Sequence, residues 1–422
     1  MEDDATAAAA AAEGAESMVF RLDDLLDQIL LSVGFPTTLV RAALVCKRWF
    51  SRVSDKKFLR RFRKLNPPRL LGFYIHGYPD HPFLSSECPQ RFIPLLPQPT
   101  ELLATVRTLE GYSFPAGEHD LCVIHHCSNG RVFTSLCDEL FGWQMMHQVH
   151  SPLCPGTAVI SINPRPAFGQ MVEGRPNQPP QFGAVVPTRL DVLTREGEDG
   201  SLSYFCVFME PASKEVGRTA CVYMAKDGLW RKHTTATPPI PLRRALHSVL
   251  IENKVYMTVT LKDISVLDLA TSGFSTIQLP HGVQHPNSDF MLSSAPDDSS
   301  IYLVELKDFQ LHIWMYKEGC WSVVDTFHLL DMCEDLTVSD CSLEDAHTSS
   351  PRIKHVGEYA QFVLLQTGQY IRYLDTRWRT LCTLDEMSAE ELAMESITII
   401  PFMMIWPPVF RSLSAKGARL DL

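Results

Sequence analysis

Apolar residues near the start of the chain fall on a helical period. Leu22, Leu25, Leu26, Ile29, Leu30 and Val33 stand at i, i+3, i+4, i+7, i+8 and i+11, which predicts an amphipathic helix. Asp23, Asp24 and Asp27 lie in its early turns, where the helix dipole favours anions, and Gly34 suits its end. Pro36 and the Thr37–Thr38 pair predict an N-cap for a second helix from about Leu39 to Val53, carrying Leu39, Val40, Ala43, Leu44, Trp49 and Val53. A third short helix is expected over Lys56–Lys64, with Phe58, Leu59 and Phe62 on its apolar side. Asn66-Pro67-Pro68 closes the helical region, because proline cannot continue a helix and restricts the residue before it. Three short helices bury little among themselves. Their apolar faces require either the rest of the chain or a partner.

Beyond Pro68 the period changes to that of strands. Short β-branched and aromatic runs alternate with Gly, Pro, Asn and Asp: Leu70–Ile75, Leu121–His125, Arg131–Leu136, Tyr204–Phe208, Ala220–Met224, Ser248–Ile251, Lys254–Val259, Ile264–Asp268, Ile301–Glu305, Leu311–Tyr316, Phe362–Gln366 and Tyr370–Leu374. A repeat runs through them, in which a strand ends, a tight turn follows and an aromatic residue opens the next strand. Tyr223 to Trp230, Leu267 to Phe274, Trp314 to Trp321 and Tyr370 to Trp378 are its instances, with closing aromatics 44, 47 and 57 residues apart. Trp143, 87 residues before Trp230, is an earlier candidate. Periods of this size with about four strands each predict a β-propeller, kelch-like, of about six blades. Five blades are expected between about 119 and 386, and the sixth from Leu70–Ile75 with Ser396–Ile405, closing the ring with both ends of the β body. Residues 331–350, with six acids and no Lys or Arg, read as an acidic insertion. The Pro-rich stretches 79–99 and 152–187 read as long loops. The fold class is therefore α+β and multidomain: a tail over 1–17, a trihelical domain over 18–65, a propeller-like domain over 66–412 and a second tail over 413–422.

Charge separates these parts. The net charge is −11 over 422 residues, yet residues 1–69 carry 12 basic and 9 acidic side chains, and residues 41–69 hold 11 basic groups against Asp55 alone. The acidic body argues against broad nucleic-acid binding, and Lys56, Lys57, Arg60, Arg61, Arg63 and Lys64 read as a solvated helix face suited to an acidic protein partner. Twelve cysteines without regular spacing argue for reduced thiols in the cytoplasm or nucleus. The acidic, Ala-rich first residues do not form a signal peptide, and Pro401, Pro407 and Pro408 break the longest apolar run, so no membrane span is expected.

Chemistry-bearing motifs are few. Cys122, His125, His126 and Cys127 invite a metal reading, but strand alternation is expected to place Cys122 and His126 on one face and His125 and Cys127 on the other, away from one tetrahedral centre. Asp227-Gly228 reads as a plain hairpin turn. No P-loop, nucleophile elbow or zinc-protease motif is present. No catalytic residue and no cofactor is expected.

The helical segment resembles an F-box, on Leu25, Ile29, Leu30, Pro36, Leu39, Leu44-Val45-Cys46-Lys47-Arg48-Trp49, Val53-Ser54-Asp55 and Phe58. The family usually opens with Leu-Pro, where this chain has Leu22-Asp23. The Phe58–Arg63 run and the Pro67–Phe73 segment are similar to the junction in plant F-box proteins that carry a C-terminal propeller-like domain. The resemblance implies docking on a Skp-family adaptor, and through it on a cullin, with Leu25, Leu26, Ile29, Leu30, Pro36, Leu39, Leu44, Val45 and Trp49 carrying the docking module, some inside the helical core and some at the contact. It implies a non-enzymatic substrate receptor of an SCF ubiquitin ligase whose β domain binds a target protein not identified by the sequence. The alternatives are a propeller enzyme, or a scaffold, with the helices only a cap.

Overall fold

The computed structural model describes residues 23–33, 36–66, 69–78, 90–114, 120–138, 144–154, 160–162, 191–196, 202–211, 218–226, 229–237, 247–258, 262–283, 289–295, 300–332, 350–392 and 396–404. Helices α1 (Asp23–Leu31), α2 (Pro36–Ala43), α3 (Lys47–Val53) and α4 (Lys56–Leu65) come first. The expected second helix is thus two. Leu44 and Val45 close the last turn of α2 by bonding back to Val40, Arg41 and Ala42 carbonyls. Cys46 is then extended, with φ −162°, and a new helix begins. Valine and cysteine hold a helix poorly, and this is where it breaks. Pro36 occupies the first position of α2, a place that tolerates its missing N–H, so Thr37 and Thr38 lie inside the helix and not at its cap.

Ion pairs and an aromatic pair hold these helices. Leu26, Leu30, Leu39, Val53 and Phe62 are fully buried and Phe58 nearly so; the Phe58 and Phe62 rings stack 6.0 Å apart. Asp27 is buried beside them, and Arg52 meets it through two guanidinium nitrogens. The inward face of α1 therefore includes a carboxylate that the apolar stripe did not reveal. Asp55 caps α4 by accepting from Phe58 N at 2.9 Å, and Asn66 Nδ2 ties its end to Leu31 O at 3.2 Å.

Among the described residues the β domain contains six sheets: β3–β4–β5–β6, β10–β9–β8–β7, β11–β12–β13–β14, β15–β16–β17–β18, β19–β20–β21–β22 and β2–β1–β23. In chain order the strands are β1 (Leu70–Tyr78), β2 (Gln90–Pro94), β3 (Asp120–Ser128), β4 (Arg131–Asp138), β5 (Gln144–His150), β6 (Ile160–Ile162), β7 (Asp191–Glu196), β8 (Leu202–Pro211), β9 (Arg218–Lys226), β10 (Leu229–Ala236), β11 (Ser248–Ile251), β12 (Lys254–Met257), β13 (Asp263–Asp268), β14 (Gly273–Gln278), β15 (Asp289–Ser294), β16 (Ile301–Lys307), β17 (Gln310–Lys317), β18 (Cys320–His328), β19 (Arg352–Val356), β20 (Phe362–Thr367), β21 (Tyr370–Asp375), β22 (Thr380–Glu386) and β23 (Ser396–Met403). This is a six-bladed propeller, and β1 with β23 forms the closing blade from both ends of the β body. Helix α5 (Thr100–Glu110) follows β2, and one-turn helices α6 (Leu329–Met332) and α7 (Ala389–Leu392) follow β18 and β22. Two stretches expected as loops contain strands, β2 within 79–99 and β6 within 152–187. Sheet pairing with β1 and β5 decides both, which no local pattern shows. Trp143 and nearly all of the acidic insertion lie outside the described residues.

First strands of successive blades meet side by side. His126 of β3 bonds Thr194 of β7 at 3.3 Å, Ser248 of β11 donates to Asp191 of β7 at 2.5 Å, Asp289 of β15 accepts from Ile353 N of β19 at 2.6 Å, and Lys354 of β19 donates to Ile397 O of β23 at 3.3 Å. The apolar core lies between blades: Phe133 and Val149 pack with Tyr204, Cys206 and Cys221, and Ile264 and Val266 with Phe290, Leu292 and Leu303. Arg91 of β2 joins the closing blade to its neighbour, donating to Glu391 at 2.7 and 3.0 Å and to Asp385 at 3.1 Å. Gly72 of β1 has no room for a Cβ, which would overlap Ile93 O and the Phe92 ring.

Candidate docking surface

The chain divides into two compact units, one built on residues 1–69 and the other on 70–195 and 202–402. The first carries the exposed apolar side chains of the expected docking module. Leu44 is 78% and Val45 64% exposed, and Cys46 after them is exposed too. Three consecutive apolar residues in water, at the break between α2 and α3, serve no internal packing. Val40, one turn before Leu44, and Ile29 on α1 are also exposed.

The nine expected residues divide by this measure. Ile29, Leu44 and Val45 face solvent, Leu26, Leu30 and Leu39 are core, and Leu25 and Trp49 are half-buried. Pro36 is placed as the first residue of α2, but its side chain is outside the described residues. Sequence reasoning missed the charged clamps behind the exposed run. Arg48 donates to Asp23 Oδ1 from Nε at 3.1 Å and Nη2 at 2.6 Å, and this hydrogen bond holds the Asp23 carboxyl below its ordinary value. Asp23 is the residue found where the resembled family has proline. Arg52, whose pKa is raised by its hydrogen bond to Asp27, makes the second clamp. Both arginines lie on α3, four apart and so on one face, and both acids lie on α1, again four apart. The spacing was legible; the pairing of two separate helices was not.

The metal reading in the propeller meets a different geometry from the expected one. A bulge at His125 sets Ile124 opposite Thr134 but His126 opposite Phe133. The extra residue resets the alternation, so Cys122 and His126 do not share a face. His125 bonds Ser135 and His126 bonds Thr194. Among the described residues no three His, Cys, Asp or Glu side chains are grouped to hold a metal ion.

Ser135 merits the same test, because its hydroxyl lies 2.8 Å from His125 Nε2 and 2.7 Å from His147 Nδ1. That spacing matches a nucleophile and its base. Ser135 and His147 are fully buried, however, and burial pushes His147 down to about 4. The hydroxyl's hydrogen bonds are made within the blade, between β3, β4 and β5, and its residue is shielded from solvent.

A family model for the F-box protein AT5G49610-like beta-propeller matches residues 123–410. The chain belongs to this family. The match spans the propeller from β3 onward, and leaves out β1, β2 and the helical head. No curated protein matches the chain. Among solved structures, a protein from Lactobacillus plantarum has a TM-score of 0.36 at 12% identity, over 78% of this chain and 99% of that one. An extracellular domain from B. thetaiotaomicron has a TM-score of 0.33 at 12% identity, over 65% of this chain and 29% of that one. Neither likeness bears on function.

Proposed function

We propose that the protein is the substrate-recognition subunit of an SCF ubiquitin ligase, with the helical head docking on a Skp-type adaptor and the propeller binding a target protein. The observation that carries this reading is the exposed run Leu44-Val45-Cys46, set within the F-box-like pattern and joined to a propeller of an F-box-protein family. Its apolar surface is wasted in water and productive in a complex. The basic side chains after it, including exposed Lys57 and Arg61, complement an acidic adaptor. In this role the chain holds a target near ubiquitin chemistry performed on other subunits, in the cytoplasm or the nucleus. The test is co-purification of the full-length chain with a Skp-family adaptor and a cullin. A folded chain that captures neither rules the reading out. Capture of the adaptor without cullin favours a scaffold.

A further inference from the structure

The blade repeat has one member out of place. In three blades the apolar residue in the second cross-strand pair after the third turn packs against the core toward the preceding blade: Trp230 opposite Ala225, Phe274 opposite Leu267 and Trp321 opposite Tyr316. In the β19–β22 blade that position is Leu381, opposite Leu374 and packed in the same way. Trp378, which the sequence repeat aligned with the others, instead sits in the turn and is 71% exposed. Its ring plays no part in closing the blade.

The turn around it is anchored on both sides. Thr376 donates its hydroxyl to Ala360 O at 2.7 Å and Gln361 O at 2.9 Å. Arg379 reaches β18, donating to both Asp325 oxygens at 2.8 and 2.9 Å and to Thr326 O at 2.9 Å, with its guanidinium 4.4 Å from the Phe327 ring centre. Trp378 N donates to Asp375 Oδ1 at 2.9 Å. Between these anchors Arg377 and Trp378 project, with the Arg377 guanidinium 5.3 Å from the indole centre. On β18, next to the Asp325 that Arg379 holds, Val324 is 50% exposed and is the extra residue of a bulge. β18 is the last strand of its sheet, and no described strand pairs with its outer edge.

The geometry points to a peptide-docking surface made by Trp378 and Arg377 beside the outer edge of β18 at Val324, occupied by an extended segment of a target protein that carries a carboxylate next to an apolar side chain. It deepens the proposed function and rests on the propeller being the target-binding half. The charge decides the class of peptide. Asp375 is engaged within the turn and Asp325 of β18 is engaged by Arg379, whereas Arg377 pairs with no carboxylate among the described residues, so an acidic side chain is attracted and a basic one repelled. A rigid, exposed tryptophan beside arginine is the composition of binding hot spots, and an anchored turn loses little entropy on docking.

The probe is a displayed library of random peptides of about ten residues, enough to follow one strand edge and a flanking side chain, panned on the full-length protein. Enrichment of peptides pairing Asp or Glu with a large apolar residue is expected. Their binding falls at least about thirtyfold in Trp378→Ala, the size of one hot spot. In Arg377→Glu the selection shifts to Lys- and Arg-bearing peptides. Adaptor binding and the thermal midpoint of both variants stay at the wild-type level. Peptides without acidic bias, or binding indifferent to both substitutions, overturn the proposal. So does a concentration-dependent dimer that Trp378→Ala abolishes, since the occupant is then a second copy. If acidic peptides map to Trp378 while the wild-type chain binds no adaptor, this surface stands and the ligase reading falls.

Discussion

Replacing Leu44 and Val45 together by aspartate separates docking from folding. Full burial of a Leu or Val side chain is worth about 1.5–3 kcal/mol. Leu44 is 78% and Val45 64% exposed in the free chain, so a contact that covers both recovers about 2–4 kcal/mol. Losing that weakens the complex about 30- to 1000-fold, and two carboxylates facing an apolar contact add to the loss. The free protein gives up almost nothing, because substitutions at exposed positions stay within about 0.5 kcal/mol each. Leu30→Asp is the contrasting variant: Leu30 is fully buried, so the charge unfolds the helical head and its loss of binding comes through the fold. The assay is calorimetric titration of a purified Skp-type adaptor, with the helical signal of each variant followed on heating. The reasoning is refuted if L44D/V45D binds within about threefold of the wild type, a change of about 0.7 kcal/mol.

Three other outcomes are expected. Arg91→Ala leaves the buried Glu391 carboxylate without its cation; burial raises that carboxyl, the Arg91 and Ser388 hydrogen bonds outweigh it, and the net shift is downward. The loss is about 2–4 kcal/mol, below the figure for a fully buried pair because Arg91 is partly solvated, and an unchanged urea midpoint contradicts it, whereas E391Q in the same background restores part of the loss. Gly72→Ala forces a methyl into Ile93 O and costs about 1–3 kcal/mol by overpacking, so a thermal midpoint equal to the wild type counts against the closing-blade geometry. Burial pushes His76 and His147, both fully buried, down to about 4. They stay neutral in the folded chain while the unfolded chain takes up protons near 6.5, so stability is full above that pH and is lost as pH falls from about 6.5 to 4, by about 2 kcal/mol per histidine at pH 5. Denaturant melts at pH 7.5 and 5 show the drop, His147→Gln removes part of it, and equal midpoints at the two pH values refute it.

Much of the propeller was legible because its inner and middle strands are buried. Phe362–Leu365 is a continuous buried apolar run, and Leu303–Leu306 is buried throughout with Glu305 its one charged member, which accepts from Trp314 Nε1 at 3.1 Å. Burial on both faces favours apolar residues and admits a polar one only with a partner. The fourth strands were harder to see. β14, β18 and β22 are mostly exposed, so they carry no hydrophobic run and exist through pairing with β13, β17 and β21. β2 and β6 escaped notice because they are short, lie among prolines and become strands only by pairing with β1 and β5. In the head, the stripe on α1 located the helix but not its inward face, since Asp27 turns inward only because Arg52 meets it from another helix.

By itself the sequence determined the helical head, the change of period after it, the recurrence of turn and aromatic, and the pairing of both ends of the β body into one blade. These are properties of local spacing and of what a buried face requires. Tertiary structure decided which of the docking residues face water, where Cys122 and His126 point after the bulge, and that Leu381 rather than Trp378 closes its blade. Each of those depends on register between strands or contact between helices, and one residue more or less in a turn moves a side chain from core to surface with almost no trace in the local pattern.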